Sequence, residues 1–275
     1  MSTATRQSQS QPTPSPQGLN PYPPSFPIDG IPVAAFDSQE SLFERFCLEA
    51  EKPGQSFITS LNIHNANEAV ANPEVFAAIH SADVVYCDGA GVLLGARLLG
   101  TPMQVARLTA ADWFLDMLVY LSLRGKTVYL LGNAPGVTHK TVALLTERMA
   151  SQPVAHSVVG HHHGFIVNEP ALEARVIEQI NSLNPDVLVV GMGTPLQELW
   201  VARNRHRIQA GVLFTLGATM DFITGKVPRC PEWMGKMGCE WLYRLGYEPK
   251  RMFNRYVVGN PQFLVRQALA RFQRG

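Results

Sequence analysis

The chain alternates between short, nearly continuous apolar runs and longer stretches in which apolar residues recur every three or four positions. The runs Ser56–Leu61, Val84–Cys87, Thr127–Leu131, Val154–Val159, Val187–Val190 and Val212–Leu216 are rich in β-branched and aromatic residues and predict strands. Between them, Val92–Leu99, Asp112–Leu123, Val137–Met149, Ala171–Leu183 and Leu196–Ile208 carry helical spacing. An earlier helix is predicted from Asp37, which can cap it, with Glu40 three residues on and Leu42, Phe43 and Phe46 as its apolar stripe. Unalternating apolar strands separated by helices of about 10–15 residues predict βαβ units, hence a Rossmann-like α/β core with a mostly parallel sheet covered by helices. In such sheets ligands sit beyond the carboxyl ends of the strands, so the polar residues there are the candidates for chemistry.

The two ends of the chain break this pattern. Residues 1–30, with SQSQPTPSPQ and then NPYPPSFP, bury too little apolar surface to offset their ordering entropy and are predicted to be a disordered tail. The α/β core is predicted over residues 31–228. Beyond it, residues 229–275 contain no β-rich run. There Trp233, Trp241, Tyr243, Tyr247, Phe253, Tyr256 and Phe263 alternate with Lys236, Arg244, Lys250, Arg251, Arg255 and Arg266, which predicts a basic, aromatic helical appendage.

Composition supports a globular chain, since 46% of its 275 residues are hydrophobic and only 16% charged. The net charge of +1 conceals an asymmetry: from Lys226 onward the chain carries +7, and the remainder −6. A basic end suits an anionic partner. The basic residues sit among tryptophans at core-like spacing and no nucleic-acid module is visible, so a membrane surface fits better than nucleic acid. Cys47, Cys87, Cys230 and Cys239 form no CxxC pair, which argues against a disulfide framework or zinc site and for a reducing compartment. The N-terminus lacks the basic start and apolar core of a secretory signal. The longest apolar run, Trp113–Leu123, contains Asp116 and falls short of the ~20 residues that span a bilayer, so membrane contact is expected to be peripheral.

At the strand ends, VVYCDGAGV places Asp88 where it can act as a general base or cap the next helix, and Gly89 and Gly91 admit a ligand to a helix N-terminus. Gly89, Gly91 and Gly95 also imitate a dinucleotide fingerprint, although Asp112, at the expected distance for its acidic partner, opens a helical pattern instead of ending a strand. In TSLNIHNA, Ser60 and Asn62 point to one side and suit either ligand or turn. His161, His162 and His163 permit chelation, but no HExxH or cysteine partner accompanies them, and they are read as lining or surface residues with no metal. In VVGMGTPLQELW, Gly193 makes a tight turn and Gln197 and Glu198 fall in a first helical turn that suits phosphate or sugar. Asp221 lies just past the last strand, and Arg229, between two prolines, can pair with a pyrophosphate.

The order of these segments carries more than any one of them. Leu61–Asn62, DGAGV at Asp88–Val92, R-x-T-x-x-D at Arg107–Asp112, LLGNAPGV at Leu130–Val137, VGHHHGF, GMGTPLQE, LGATMDFITGKVPR and CEWLYRL-x-x-EP-x-R resemble the WecG/TagA/CpsF family of glycosyltransferases over roughly Phe57 to Arg255. The resemblance implies inverting transfer from a UDP-sugar to a sugar on undecaprenyl diphosphate in surface or exopolysaccharide synthesis, at the cytoplasmic face of the membrane and without a cofactor. It implies Asp88 as base. Ser60, Asn62, Gly89, Gly91, Arg107, Gly132, Gly193, Gln197, Glu198, Asp221 and Arg229 are then the candidates to bind donor or acceptor, and Arg244, Arg251 and Arg255 those for the acceptor diphosphate. Leu196 and Asn254 depart from the pattern, standing where a lysine and a further basic residue are frequent.

The donor is left open among N-acetylmannosamine, its uronic acid and glucose, and so is homo-oligomerisation. A nicotinamide-dependent oxidoreductase and a non-catalytic membrane adaptor are the competing readings. Removing the appendage from about Trp241 onward is expected to abolish membrane association and activity while leaving the α/β core folded.

Overall fold

The structure, a computed structural model, describes residues 18–101, 105–150, 158–164 and 166–273. The elements follow in chain order: β1 (Ser25–Ile28), β2 (Ile31–Ala34), α1 (Gln39–Glu51), β3 (Ser56–Leu61), α2 (Ile63–Ala71), α3 (Pro73–His80), β4 (Val84–Cys87), α4 (Ala90–Leu98), α5 (Ala110–Leu123), β5 (Val128–Gly132), α6 (Val137–Met149), β6 (Val158–His162), α7 (Pro170–Leu183), β7 (Val187–Gly191), α8 (Leu196–Asn204), β8 (Val212–Thr215) and α9 (Thr219–Ile223). The appendage adds α10 (Glu232–Lys236), α11 (Glu240–Tyr247), α12 (Pro249–Phe253), a wide π-type turn at Asn254–Val258, and α13 (Gly259–Phe272). The predicted α/β class with a helical C-terminal region holds.

One sheet runs β1-β2-β4-β3-β8-β7-β5-β6, parallel except for the β1–β2 hairpin. Its apolar runs are unalternating because both faces are covered. Ile58, Tyr86, Leu130, Val189 and Phe214 point into a cluster under α1 and α5. Phe57, Tyr129, Leu131, Leu188 and Leu213 point the other way, beneath α7 and α8. Leu61, Val85 and Cys87 continue that second face beneath α2, α3 and α4.

Three expectations are corrected. Residues 25–30 are ordered: Phe26 and Ile28 are buried and pair with Val33 and Ile31 across a two-residue Asp29–Gly30 turn. Both turn residues have positive φ, the geometry of the favoured hairpin turn, and proline-rich composition hid that signal; residues 1–17 of the expected tail lie outside the described residues. The cap of α1 is Ser38, whose hydroxyl accepts from the Ser41 amide, while Asp37 accepts hydrogen bonds from both serine hydroxyls. The strand expected at Val154–Val159 is Val158–His162, with residues 154–157 outside the described residues.

The appendage packs against the core. Its last helix, α13, lies on α4 and α2. A Cβ built at Gly95 would stand 2.7 Å from the Phe263 ring, so the glycine permits the approach of the two helices. Phe263 is fully buried, and Arg266 grips both oxygens of Asp29 at 2.8 and 2.7 Å.

Candidate active site

Register decides where the chemistry sits. Leu61 lies opposite Cys87, and the Asp88 amide donates to the Leu61 carbonyl at 2.9 Å, so the carboxyl ends of β3 and β4 present Asn62 and Asp88 side by side. The Asn62 Oδ1 accepts from the Asn65 amide and caps α2, which leaves Nδ2 to donate toward Asp88 Oδ2 at 3.4 Å. Ser60, one turn of the pleat earlier, shares a hydrogen bond with the buried Tyr86 hydroxyl. Asp88 opens onto a cleft of about 1060 Å³ whose lining includes Ser60, Asn62, Gly89, Gly91, Arg107, Gly193 and Gln197 from the core and Arg244, Arg251 and Arg255 from the appendage. The structure thus gathers the greater part of the candidate residues, separated by up to about two hundred positions in the chain, at the switch region of a parallel sheet.

Electrostatics separate the roles these groups can take. Burial raises the Asp88 carboxyl to about 6; the Asn62 hydrogen bond opposes this, Glu240 across the cleft reinforces it, and Arg255 and Arg107 pull the other way. A carboxylate poised there is a competent proton acceptor near neutral pH. Arg97, Arg107, Arg244, Arg251 and Arg255 line the cleft against the carboxylates Asp88 and Glu240, so it is net positive. The Nε–H groups of Arg244 and Arg255 are buried and find no acceptor among the described residues. Buried N–H groups of this kind ordinarily have partners, and a guanidinium pair matches a phosphate.

Gln197 plays a part its sequence position did not announce. Its Oε1 accepts from the amides of Gly193 (3.2 Å) and Gly217 (2.9 Å), and its Nε2 donates to Glu198 at 2.8 Å. The side chain staples the loops after β7 and β8, both of which line the cleft. Gln197→Leu, which keeps the volume and strands two amides, is expected to cost about 1–3 kcal/mol in denaturant unfolding. An unchanged midpoint would remove the staple from the account.

Gly132, Glu198, Asp221 and Arg229 are absent from the lining residues. Glu198 is wholly buried and its carboxyl is raised by that burial. Asp221 accepts from Asn133 at 3.1 Å and faces Lys226. Arg229 donates to Asp112 Oδ1 (2.5 Å) and to the Ala111 carbonyl (3.2 Å), while Arg107 meets the other Asp112 oxygen at 3.3 Å. Asp112, in the first turn of α5, therefore clasps two arginines rather than ending a strand as a ribose partner would. Gly91 is filled from the other side, because a Cβ there would fall 2.3 Å from Ile63. Packing against Ile63 and Phe263 thus accounts for Gly91 and Gly95, two of the three glycines on which the nicotinamide reading rested. The histidine run lies on the outer strand β6, where His161 faces His139 and His162 stacks on His163. Sequence reasoning missed His64, Thr194, Glu240 and Trp241 as site residues, although each lies in a segment already singled out and lines the cleft.

A doubly wound parallel sheet with a positive cleft at its switch region, and a carboxylate of raised pKa in that cleft, is the frame of an α/β enzyme. The chain belongs to the glycosyl transferase WecG/TagA/CpsF family, whose model matches residues 26–275. It is also 30% identical, over 209 residues covering 76% of this chain and 77% of the other, to the N-acetylglucosaminyldiphosphoundecaprenol N-acetyl-beta-D-mannosaminyltransferase of Bacillus spizizenii. The family match begins at Phe26, within the hairpin that composition had assigned to a tail.

Proposed function

We propose that the chain transfers a hexose derivative, with N-acetylmannosamine the first candidate, from a UDP-sugar to a sugar carried on undecaprenyl diphosphate, inverting the anomeric centre. The observation that carries this reading is the convergence of Asp88 with Arg244, Arg251 and Arg255 in one cleft. Asp88 takes the proton of the acceptor hydroxyl as that oxygen attacks the anomeric carbon, and the donor C–O bond breaks on the opposite face, releasing UDP. The arginines neutralise diphosphate charge, so the chemistry is expected to proceed without a metal. The relative's acceptor is a diphosphate-linked N-acetylglucosamine on undecaprenol, which supplies the anion that the arginine set fits.

The same appendage supports a peripheral site of action at the inner membrane face. Trp233, Met237, Leu242, Tyr247 and Phe253 are exposed beside Lys250 and Arg251, a mixture suited to the headgroup boundary. No helix among the described residues is long and apolar enough to cross a membrane.

The test is transfer from a panel of UDP-sugars to a short-chain prenyl-diphosphate-linked N-acetylglucosamine, with and without EDTA. Product from one donor, insensitive to EDTA, is expected. Arg255→Gln should raise the acceptor KM by about 10–100-fold, as loss of a charge-assisted contact would. No product from any donor, or an Arg255 variant with unchanged KM, would overturn the assignment.

A further inference from the structure

Facing the arginines across the cleft is a side chain that no part of the mechanism above uses. His64 lies in the first turn of α2, two residues after Asn62, and its ring lines the same cavity as Arg244, Arg251 and Arg255. About a quarter of the side chain remains exposed. The charged groups around it are Glu68 on its own helix, with Oε1 3.6 Å from Nδ1, and the three arginines of the appendage. Burial and the repulsion of Arg255, Arg244 and Arg251 hold the imidazole down to about 4, so in the empty cleft it is neutral at physiological pH.

A neutral imidazole beside three guanidiniums offers one N–H donor and one acceptor nitrogen, and the acceptor nitrogen is the wrong partner for a phosphate. A diphosphate bound among the arginines reverses the field at the ring, because it cancels the positive charges that kept the proton off and adds negative charge of its own. The second nitrogen then gains a proton, and the ring becomes a two-fold donor. We propose that His64 is a fourth ligand of the diphosphate, and that diphosphate binding is coupled to the uptake of one proton at this imidazole. The inference rests on the assignment of the arginine cluster to a diphosphate. It identifies one more contributor to that site and gives the site a pH dependence of its own. Because the coupling is reciprocal, acidification tightens binding as the bound-state pKa is approached from above.

The experiment is titration calorimetry of the full chain with farnesyl diphosphate and, separately, with UDP, at pH 6 and pH 8 in buffers of differing ionisation enthalpy. His64→Gln and Arg255→Gln run beside the wild type. At pH 6 the wild type should take up roughly one more proton than His64→Gln and bind about tenfold tighter, with the affinity gap shrinking toward pH 8. Histidine-labelled protein gives an independent reading by NMR: the resonance missing from His64→Gln should report a neutral ring in the free wild type at pH 6 and a cationic ring once the ligand is bound. Coupling seen with farnesyl diphosphate alone places His64 on the acceptor, and with UDP alone on the donor. Equal proton counts and affinities in wild type and His64→Gln, with Arg255→Gln still impaired, would overturn the role of His64 and leave the arginine site standing. Binding that ignores Arg255 as well would remove the diphosphate site itself.

Discussion

Asp88→Asn is expected to lower sugar transfer by about 10²–10⁴-fold in kcat while raising the stability of the fold. The loss follows from removing the one carboxylate that lines the cleft at the strand ends among the described residues, since an amide cannot accept the acceptor's proton and a general base contributes on that scale. The gain has the same physical origin as the catalytic competence. A carboxyl raised to about 6 from 3.8 is protonated more readily in the fold than in the unfolded chain. As pH rises through that window the folded state must ionise a desolvated group, stability falls, and the cost persists above it. The isosteric amide carries no such cost and can still accept from Asn62. At pH 7 the variant should therefore be more stable by about 1–3 kcal/mol, an advantage that disappears below about pH 4. In His64→Gln, which lacks the coupled proton uptake, kcat/KM should rise with pH to a plateau with a midpoint near 6. Thermal unfolding at pH 4 and 7 and the transfer assay check the two halves separately. Retained transfer would leave Asp88 without its role, and a membrane adaptor would be indifferent to the change altogether.

The second large effect concerns the end of the chain. Deleting residues 259–275 should lower the melting temperature by more than about 10 °C or prevent cooperative folding, rather than leave an intact core. Removal of Phe263 alone would uncover the α4 face at Gly95 and take a fully buried ring out of the cluster that holds Val92 and Ala96, and emptying a site of that kind costs about 3–5 kcal/mol. The deletion also strands Asp29, whose oxygens receive Arg266 and Gln267 and whose side chain is only 7% exposed. Against a total stability of ~5–15 kcal/mol these losses are a large fraction. Circular dichroism melts of the truncated and full chains decide the matter. Equal melting temperatures would restore the appendage as a separable module. The functional contribution of the appendage is accordingly better probed through Arg244 or Arg255 than by cutting.

Much of the fold was legible because local pattern and tertiary environment agree. Strands buried on both faces must be apolar throughout, and β3 and β4 begin and end where the predicted runs do. Asp88 was visible as a candidate because a carboxylate at the end of such a run stands out against its apolar neighbours. The α2–α3 pair was not read, and neither was the β1–β2 hairpin, whose Asp–Gly turn was the available signal. The order of motifs alone carried the family resemblance.

What sequence could not decide is which groups meet and which are already spoken for. Gln197 and Glu198 are neighbours in one motif, yet one bridges two loops and the other is sealed in the interior. Arg229 and Arg255 are both arginines of a basic segment, yet Asp112 accepts from the first while the buried Nε of the second finds no acceptor among the described residues. Nothing in the sequence sets His64 apart until the fold brings the charge of three arginines to bear on it. Hydrophobic periodicity and turn chemistry are properties of neighbouring residues, so the chain by itself determined most of its strands, most of its core helices and the position of its candidate base. Hydrogen-bond satisfaction, desolvation and the sign of the local field depend on groups that only the folded chain brings together, so the tertiary structure alone decided the composition and charge of the cleft.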